Sequence, residues 1–235
     1  MCWCVKMGIA ERKKREREQR RKKILDAAEK LFFMKYYDAV SMDEIAIEVE
    51  LSKPTLYQYF RDKESLFLAI VERGLRIWYD MTRAAVKDAD NGIDQLAAIG
   101  LANHRFTKTF PEYYKIFTYF RSSRFIMKIT TGNDAIESVY HVMQEIGEIT
   151  DSAIQIGIED GTLRSDIDPV MLSVFLTTFS DSVNNLNPRL INKLEVRGIR
   201  YDQFINEFIN LMYNMMENPD HKVQRRTQQK PETAG

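Results

Sequence analysis

Residues 41–66, SMDEIAIEVELSKPTLYQYFRDKESL, decide how this chain folds. Ser41 followed by Glu44 fits the Ser-x-x-Glu capping box, in which a helix start satisfies two of its orphan amides. Met42, Ile45, Ala46 and Val49 fall at i, i+3, i+4 and i+7, the apolar face of a helix barely two turns long. Residues 49–51 break that helix. Ser52 is an N-cap for the next one, and Pro54 lies in its first turn, where a missing N–H is no loss. This second helix offers a core only Leu56 and Phe60; Pro54, Tyr57, Gln58 and Arg61 point outward, with Lys53 and Thr55 flanking near its start. Two short helices joined by a tight turn, the second polar on its outer face, make the helix-turn-helix arrangement.

Working outward, Ile24, Ala28, Leu31 and Phe32 form an i, i+4, i+7, i+8 stripe and predict an amphipathic helix upstream. ERKKREREQRRKK, residues 11–23, runs into it without a break. Its nine basic and three acidic side chains read as a solvated N-terminal extension of that helix, with a binding arm beside a DNA-reading unit as the alternative. Downstream, Leu66, Phe67, Ile70, Val71, Ile77, Trp78 and Met81 face one side of a long helix over about 63–88. Further helices are expected over about 93–109, from Pro111, over 134–160 with Gly161 as the stop, and from Pro169. A last one carries Phe204, Phe208, Leu211, Met212 and Met215. VMLSVFLTTF, residues 170–179, is apolar nearly all round and so is expected to be buried on more than one side. TTGND (130–134) reads as a turn, residues 184–198 as a loop, and the polar residues from Asn218 as a disordered tail. The whole is an all-α chain of about nine helices.

Composition excludes several classes. Hydrophobic residues make up 44% of the 235, with only 10 Gly and 6 Pro, as in an ordered globular chain. The formal net charge is zero, so contact with nucleic acid has to come from a local patch. Residues 1–63 carry 15 basic and 11 acidic side chains, and the remainder carries the balancing negative excess. No run approaches the ~18 apolar residues of a membrane span and no signal-peptide core is visible, which predicts a cytoplasmic protein. Cys2 and Cys4 lack a nearby His or Cys partner and are not expected to bind metal. The first six residues read as a frayed end or as sequence upstream of a start at Met7. With three histidines (His104, His141, His221) and no H-E-x-x-H, G-x-S-x-G, phosphate-cradling glycine loop or paired-Asp motif, no catalytic residue, enzyme activity or cofactor is expected.

The segment ILDAAEKLFF, with the Ser-Met-Asp-Glu-Ile-Ala helix start and S-x-x-x-L-Y-x-Y-F-x-x-K-x-x-L, resembles the TetR/AcrR family of transcriptional regulators. GIEDGTLRSDIDPVMLSVFL, residues 157–176, resembles more weakly the junction between helices 7 and 8 of that family. One departure stands out. The family's Ala-Gly in the turn between helices 2 and 3 is Val49-Glu50 here, although the turn favours positive φ. The resemblance implies an N-terminal three-helix DNA-binding domain over 20–65, preceded by a basic extension (1–19) and followed by a larger helical ligand-binding and dimerisation domain (66–217) and a polar tail (218–235).

For the DNA-reading surface, Lys53 and Gln58 are the expected base readers, since lysine suits guanine acceptors and glutamine pairs with adenine. Pro54 and Thr55 would touch thymine methyls. The resemblance implies phosphate contacts from Tyr57, Tyr59 and Lys63, with Tyr59 alternatively covering the core. Ser41 and Ser52 cap helices whose free amides also attract phosphate. One such unit covers little DNA, so a homodimer on a palindromic operator is the geometric expectation.

In the larger domain the resemblance implies a pocket for a small apolar or amphipathic effector and a four-helix interface between two subunits. Pocket candidates are Trp78, His104, Phe106, Tyr113, Phe117, Tyr140 and Phe175, with core packing as the plainer reading of each. Val174, Phe175, Phe204, Phe208, Leu211, Met212 and Met215 are the interface candidates. The expected function is a repressor that effector binding releases from its operator by population shift, with the helix from about 63 as lever. The alternative is a DNA-binding protein that needs no ligand or answers to a protein partner.

Overall fold

The computed structural model describes residues 2–126 and 134–222, with side chains from Gly8 onward. Among them are eleven α-helices, one 3-10 helix (Val86–Asp88) and no strand. The helices are α1 Cys2–Ala39, α2 Met42–Glu48, α3 Lys53–Tyr57, α4 Lys63–Ala85, α5 Gly92–Thr109, α6 Pro111–Phe120, α7 Ser123–Ile126, α8 Asp134–Glu159, α9 Pro169–Asn184, α10 Pro188–Glu195 and α11 Tyr201–Met216. They group into two compact units: residues 1–76 with 112–142, and residues 77–111 with 143–235.

In the first unit α1 carries Ile24, Ala28 and Phe32 into a core completed by Ile45, Leu56, Leu66, Phe67 and Ile70. Full burial of each large aliphatic or aromatic group contributes about 1.5–3 kcal/mol relative to exposure. α6 and α7 belong to this unit with the helix-turn-helix. The aromatic residues explain this. The Tyr37 ring lies 4.8 Å from Phe67, 5.3 Å from Phe125 and 5.4 Å from Tyr119. Arg73 joins Asp26 (2.8 Å) and Glu29 (3.1 Å), and Glu29 also accepts the Tyr113 hydroxyl.

The second unit closes on Ile93, Leu96, Ala153, Ile154, Leu163, Leu172 and Met216. Here α8 ends at Gly161, whose φ of 75° is the left-handed stop that the sequence suggested. Asp160 ties this corner together, accepting from the Gly92 N–H at 2.8 Å and the Thr162 N–H at 2.9 Å. Gly92 and Gly157 are needed for close approach: a Cβ on Gly92 would run into the Gly157 backbone, and one on Gly157 into the Leu163 side chain.

Three expectations are corrected. Residues 188–195 were expected in a loop and form α10, because Asn187 caps the Arg189 N–H (2.8 Å) and Pro188 sits at the first helical position. In one chain α9 is buried on one side only, through Leu172 and Val183, while Val170, Met171, Val174, Phe175 and Phe179 are exposed. The polar tail does not start loosely at Asn218: its N–H donates to Thr162 O (2.9 Å), Glu217 is buried, and residues 219–222 are helical. The rest of that tail, the TTGN of the expected turn and the Cys2 and Cys4 side chains lie outside what is described.

Candidate nucleic-acid interface

The start of α2 is set by Ser41, whose Oγ accepts the Glu44 N–H at 3.2 Å. The Glu44 carboxylate turns to the Lys35 ammonium, which holds its pKa below the usual carboxylate range, with the Ser41 N–H adding to the effect. The helix then stops in a Schellman turn: the Glu50 N–H donates to Ile47 O (3.1 Å) and the Leu51 N–H to Ala46 O (2.9 Å). Glu50 takes φ 53°, so a glutamate occupies the left-handed position that favours glycine. Ser52 Oγ accepts the Thr55 N–H (3.3 Å) and shares a 2.7 Å hydroxyl contact with Thr55 Oγ1. Leu56, fully buried, and Phe60, nearly so, pin α3 to the core.

What remains outside is the expected reading face. Lys53, Pro54, Tyr57 and Gln58 are exposed, while Thr55 and Tyr59 are half-buried. Lys53 is not loose: its ammonium lies 2.7 Å from Asp43, which raises its pKa and sets its direction. Lys63 is held more firmly still. Its ammonium donates to Tyr37 O (3.0 Å) and Val40 O (2.9 Å) and sits 4.2 Å above the Tyr37 ring. It thereby satisfies carbonyls at the end of α1. Phosphate contact by this lysine would have to share an ammonium already committed to two carbonyls. The next helix, α4, starts on Asp62, which accepts the Ser65 N–H at 2.7 Å. Burial alone would raise the Asp62 carboxyl; the Ser65 bonds and Arg61 outweigh it and hold it below its ordinary value.

Sequence reading missed a second wall to this surface. Lys13, Glu16, Arg17, Gln19, Arg20 and Lys23 of α1 line a cleft of about 770 Å³ together with Gln58 and Tyr59. The i, i+4, i+7 spacing of Lys13, Arg17 and Arg20 carries the signal for the binding-arm reading of this run, which composition alone ranks below a solvated extension.

The effector candidates fall in both units. Trp78 stacks on Phe106 at 6.0 Å in the second unit. His104 there contacts Asp202 at 3.1 Å, and its Nδ1 is buried with no hydrogen-bond partner among the described residues. Tyr113 and Phe117 belong to the first unit, where their rings fill the space beside Gly74. Burial first, and the bond to Glu29 second, raise the Tyr113 phenol's pKa. Tyr140 is 54% exposed, and Phe175 is exposed on α9, stacked on Phe179 at 6.0 Å. Of the interface candidates, Val174, Phe175, Leu211 and Met215 are exposed, while Phe204, Phe208 and Met212 are half-buried. Among the described residues no helix is long and apolar enough to cross a membrane.

An N-terminal helix-turn-helix with an outward polar face, followed among the described residues by helices alone, is the arrangement of a helix-turn-helix DNA-binding fold. Residues 24–70 match the bacterial regulatory proteins of the tetR family. The chain is 37% identical over 82 residues to the HTH-type transcriptional activator FasR of Mycolicibacterium smegmatis, a match covering 35% of this chain and 37% of FasR. A TetR/AcrR regulator from Thermobifida fusca superposes with a TM-score of 0.66 at 22% identity, covering 83% of this chain and 97% of that one. AibR, solved in complex with isovaleryl coenzyme A and operator DNA, superposes with a TM-score of 0.63 at 18% identity, covering 83% of this chain and 98% of its own. These superpositions show the fold. Over residues 24–70 the chain is thus similar to the tetR-family regulatory proteins, and its match spans little more than a third of FasR's length.

Proposed function

We propose that the chain binds double-stranded DNA through α3 and does so as a cytoplasmic homodimer on a palindromic operator. The observation that carries this is the division of α3. Leu56 and Phe60 fix it to the core, and Pro54, Tyr57 and Gln58 are left outward beside the helix starts at Ser41 and Ser52. Lys53, Thr55 and Gln58 meet base edges, and Tyr57 and Tyr59 position the backbone. A symmetric pair of such units reads two half-sites about one helical turn apart. The exposed apolar faces of α9 and α11 support the pairing, since a soluble protein rarely leaves such surface unpartnered.

In this reading the bound state represses transcription, and a small apolar or amphipathic effector releases it, with α4 as lever. AibR binds a coenzyme A thioester and operator DNA together, which supports effector control in this fold. The unpaired, buried Nδ1 of His104, whose ring lies 5.9 Å from that of Tyr201, supports a polar anchor for that molecule in the second unit. Footprinting on the DNA upstream of the chain's own gene tests the proposal: two protected, symmetry-related half-sites are expected. A single unsymmetrical footprint contradicts the dimer, and none at all contradicts DNA reading. Reporter expression that falls when the gene is deleted would show activation instead.

A further inference from the structure

We infer that the first part of α1 is a second DNA-binding element, a helical arm that grips phosphates flanking the bases read by α3. This rests on the DNA-reading proposal above. The arm lies before the family match, which begins at residue 24, and the family resemblance assigns it no role. Along it, Lys13, Arg17, Arg20 and Lys23 recur on one face of the helix and share the cleft with Gln58 and Tyr59 at the end of α3. Each is exposed, and among the described residues none is held in an ion pair. The acid on that face, Glu16, is engaged by Arg12 at 3.1 Å. Four cations are left to aim at whatever the cleft admits.

Orientation comes from Arg21, on another face of the same helix. Its guanidinium stacks 4.7 Å above the Phe60 ring and fastens the arm to the buried end of the recognition segment. From Lys13 to Lys23 the helix rises about 15 Å, or roughly four base steps along one strand. The arm therefore presents a row of cations contiguous with the base-reading side chains and on the scale of a backbone segment. A membrane surface is the other polyanion open to such a helix, but that mode needs an apolar face, and residues 10–23 contain no apolar side chain larger than alanine.

The test is fluorescence anisotropy with a duplex from upstream of the chain's own gene, over about 50 to 200 mM salt. The triple variant Lys13→Gln, Arg17→Gln, Arg20→Gln is compared with Lys14→Gln, Arg15→Gln, Lys22→Gln, which removes the same charge from other faces of the helix. Circular dichroism confirms that both keep their helix. The groove-face variant is expected to flatten the slope of log affinity against log salt by roughly 2.7 per protomer, about 0.9 for each lost phosphate contact. The other variant is expected to change it by less than about one. Equal losses in both would reduce the arm to a general positive field and overturn the inference. So would an unchanged slope in the groove-face variant, with or without a loss of binding to vesicles containing phosphatidylserine. Wild-type chain that binds no duplex would instead sink the DNA-reading proposal on which the arm depends.

Discussion

Glu50 holds a left-handed conformation, φ 53°, that costs an ordinary L-residue roughly 1–2 kcal/mol. The Schellman turn needs that conformation to bring Leu51 back to Ala46 and to start α3 at the right angle. Glu50→Gly is therefore expected to raise the midpoint of chemical denaturation, by about 1 kcal/mol of stability, with DNA affinity unchanged. A loss of stability would mean that the glutamate side chain contributes more than its backbone costs. Asp62 gives a pH-dependent prediction. Its carboxyl titrates below the ordinary value of 3.8 in the folded chain, so the stability it contributes is complete above that value and is lost as pH falls through the folded pKa. The stability gap between wild type and Asp62→Asn should be widest above about pH 4 and close in more acid solution, as read from denaturation midpoints at each pH. A gap that is constant with pH would contradict the capping role.

Among the elements, the helix-turn-helix was legible because its information is local. Caps at Ser41 and Ser52, a proline in a first turn, and the pair Leu56 and Phe60 all act within a few residues of one another. What sequence did not disclose depends on partners brought from elsewhere. Asp43 meets Lys53 only once α2 and α3 cross, and the carbonyls of Tyr37 and Val40 claim Lys63 only once the end of α1 arrives. The joining of α6 and α7 to the DNA-reading unit depends on rings at 37, 67, 119 and 125, too far apart in sequence to announce one another. α10 reads as a loop although its Asn-Pro start and the apolar positions Leu190, Ile191 and Leu194 are visible, because it is only eight residues long. At this scale the crossing of α5 and α8 gives a test. Gly92→Ala places a methyl against the Gly157 backbone and should cost roughly 1–3 kcal/mol, read as a lower melting temperature. An unchanged melting temperature would mean that the two helices separate freely to admit it.

For the whole molecule, the apolar residues that α9 and α11 leave exposed stand as the proposed seam between two copies. Phe175→Glu together with Leu211→Glu should convert a species of twice 27.6 kDa into one of 27.6 kDa in light scattering. Such a change leaves each helix-turn-helix intact but uncouples two half-sites, so operator affinity should fall while any single-site binding persists. A dimer that survives both charges would place the seam elsewhere. The proposed regulation depends above all on α3 meeting DNA with its exposed face. The most direct measurement is an anisotropy titration of wild-type chain and Gln58→Ala on the duplex upstream of its own gene and on an unrelated duplex. Tighter binding to the upstream duplex is expected, with Gln58→Ala losing about 1–3 kcal/mol of that preference, roughly five- to 150-fold. Equal affinity for both duplexes, unaffected by the substitution, would contradict it.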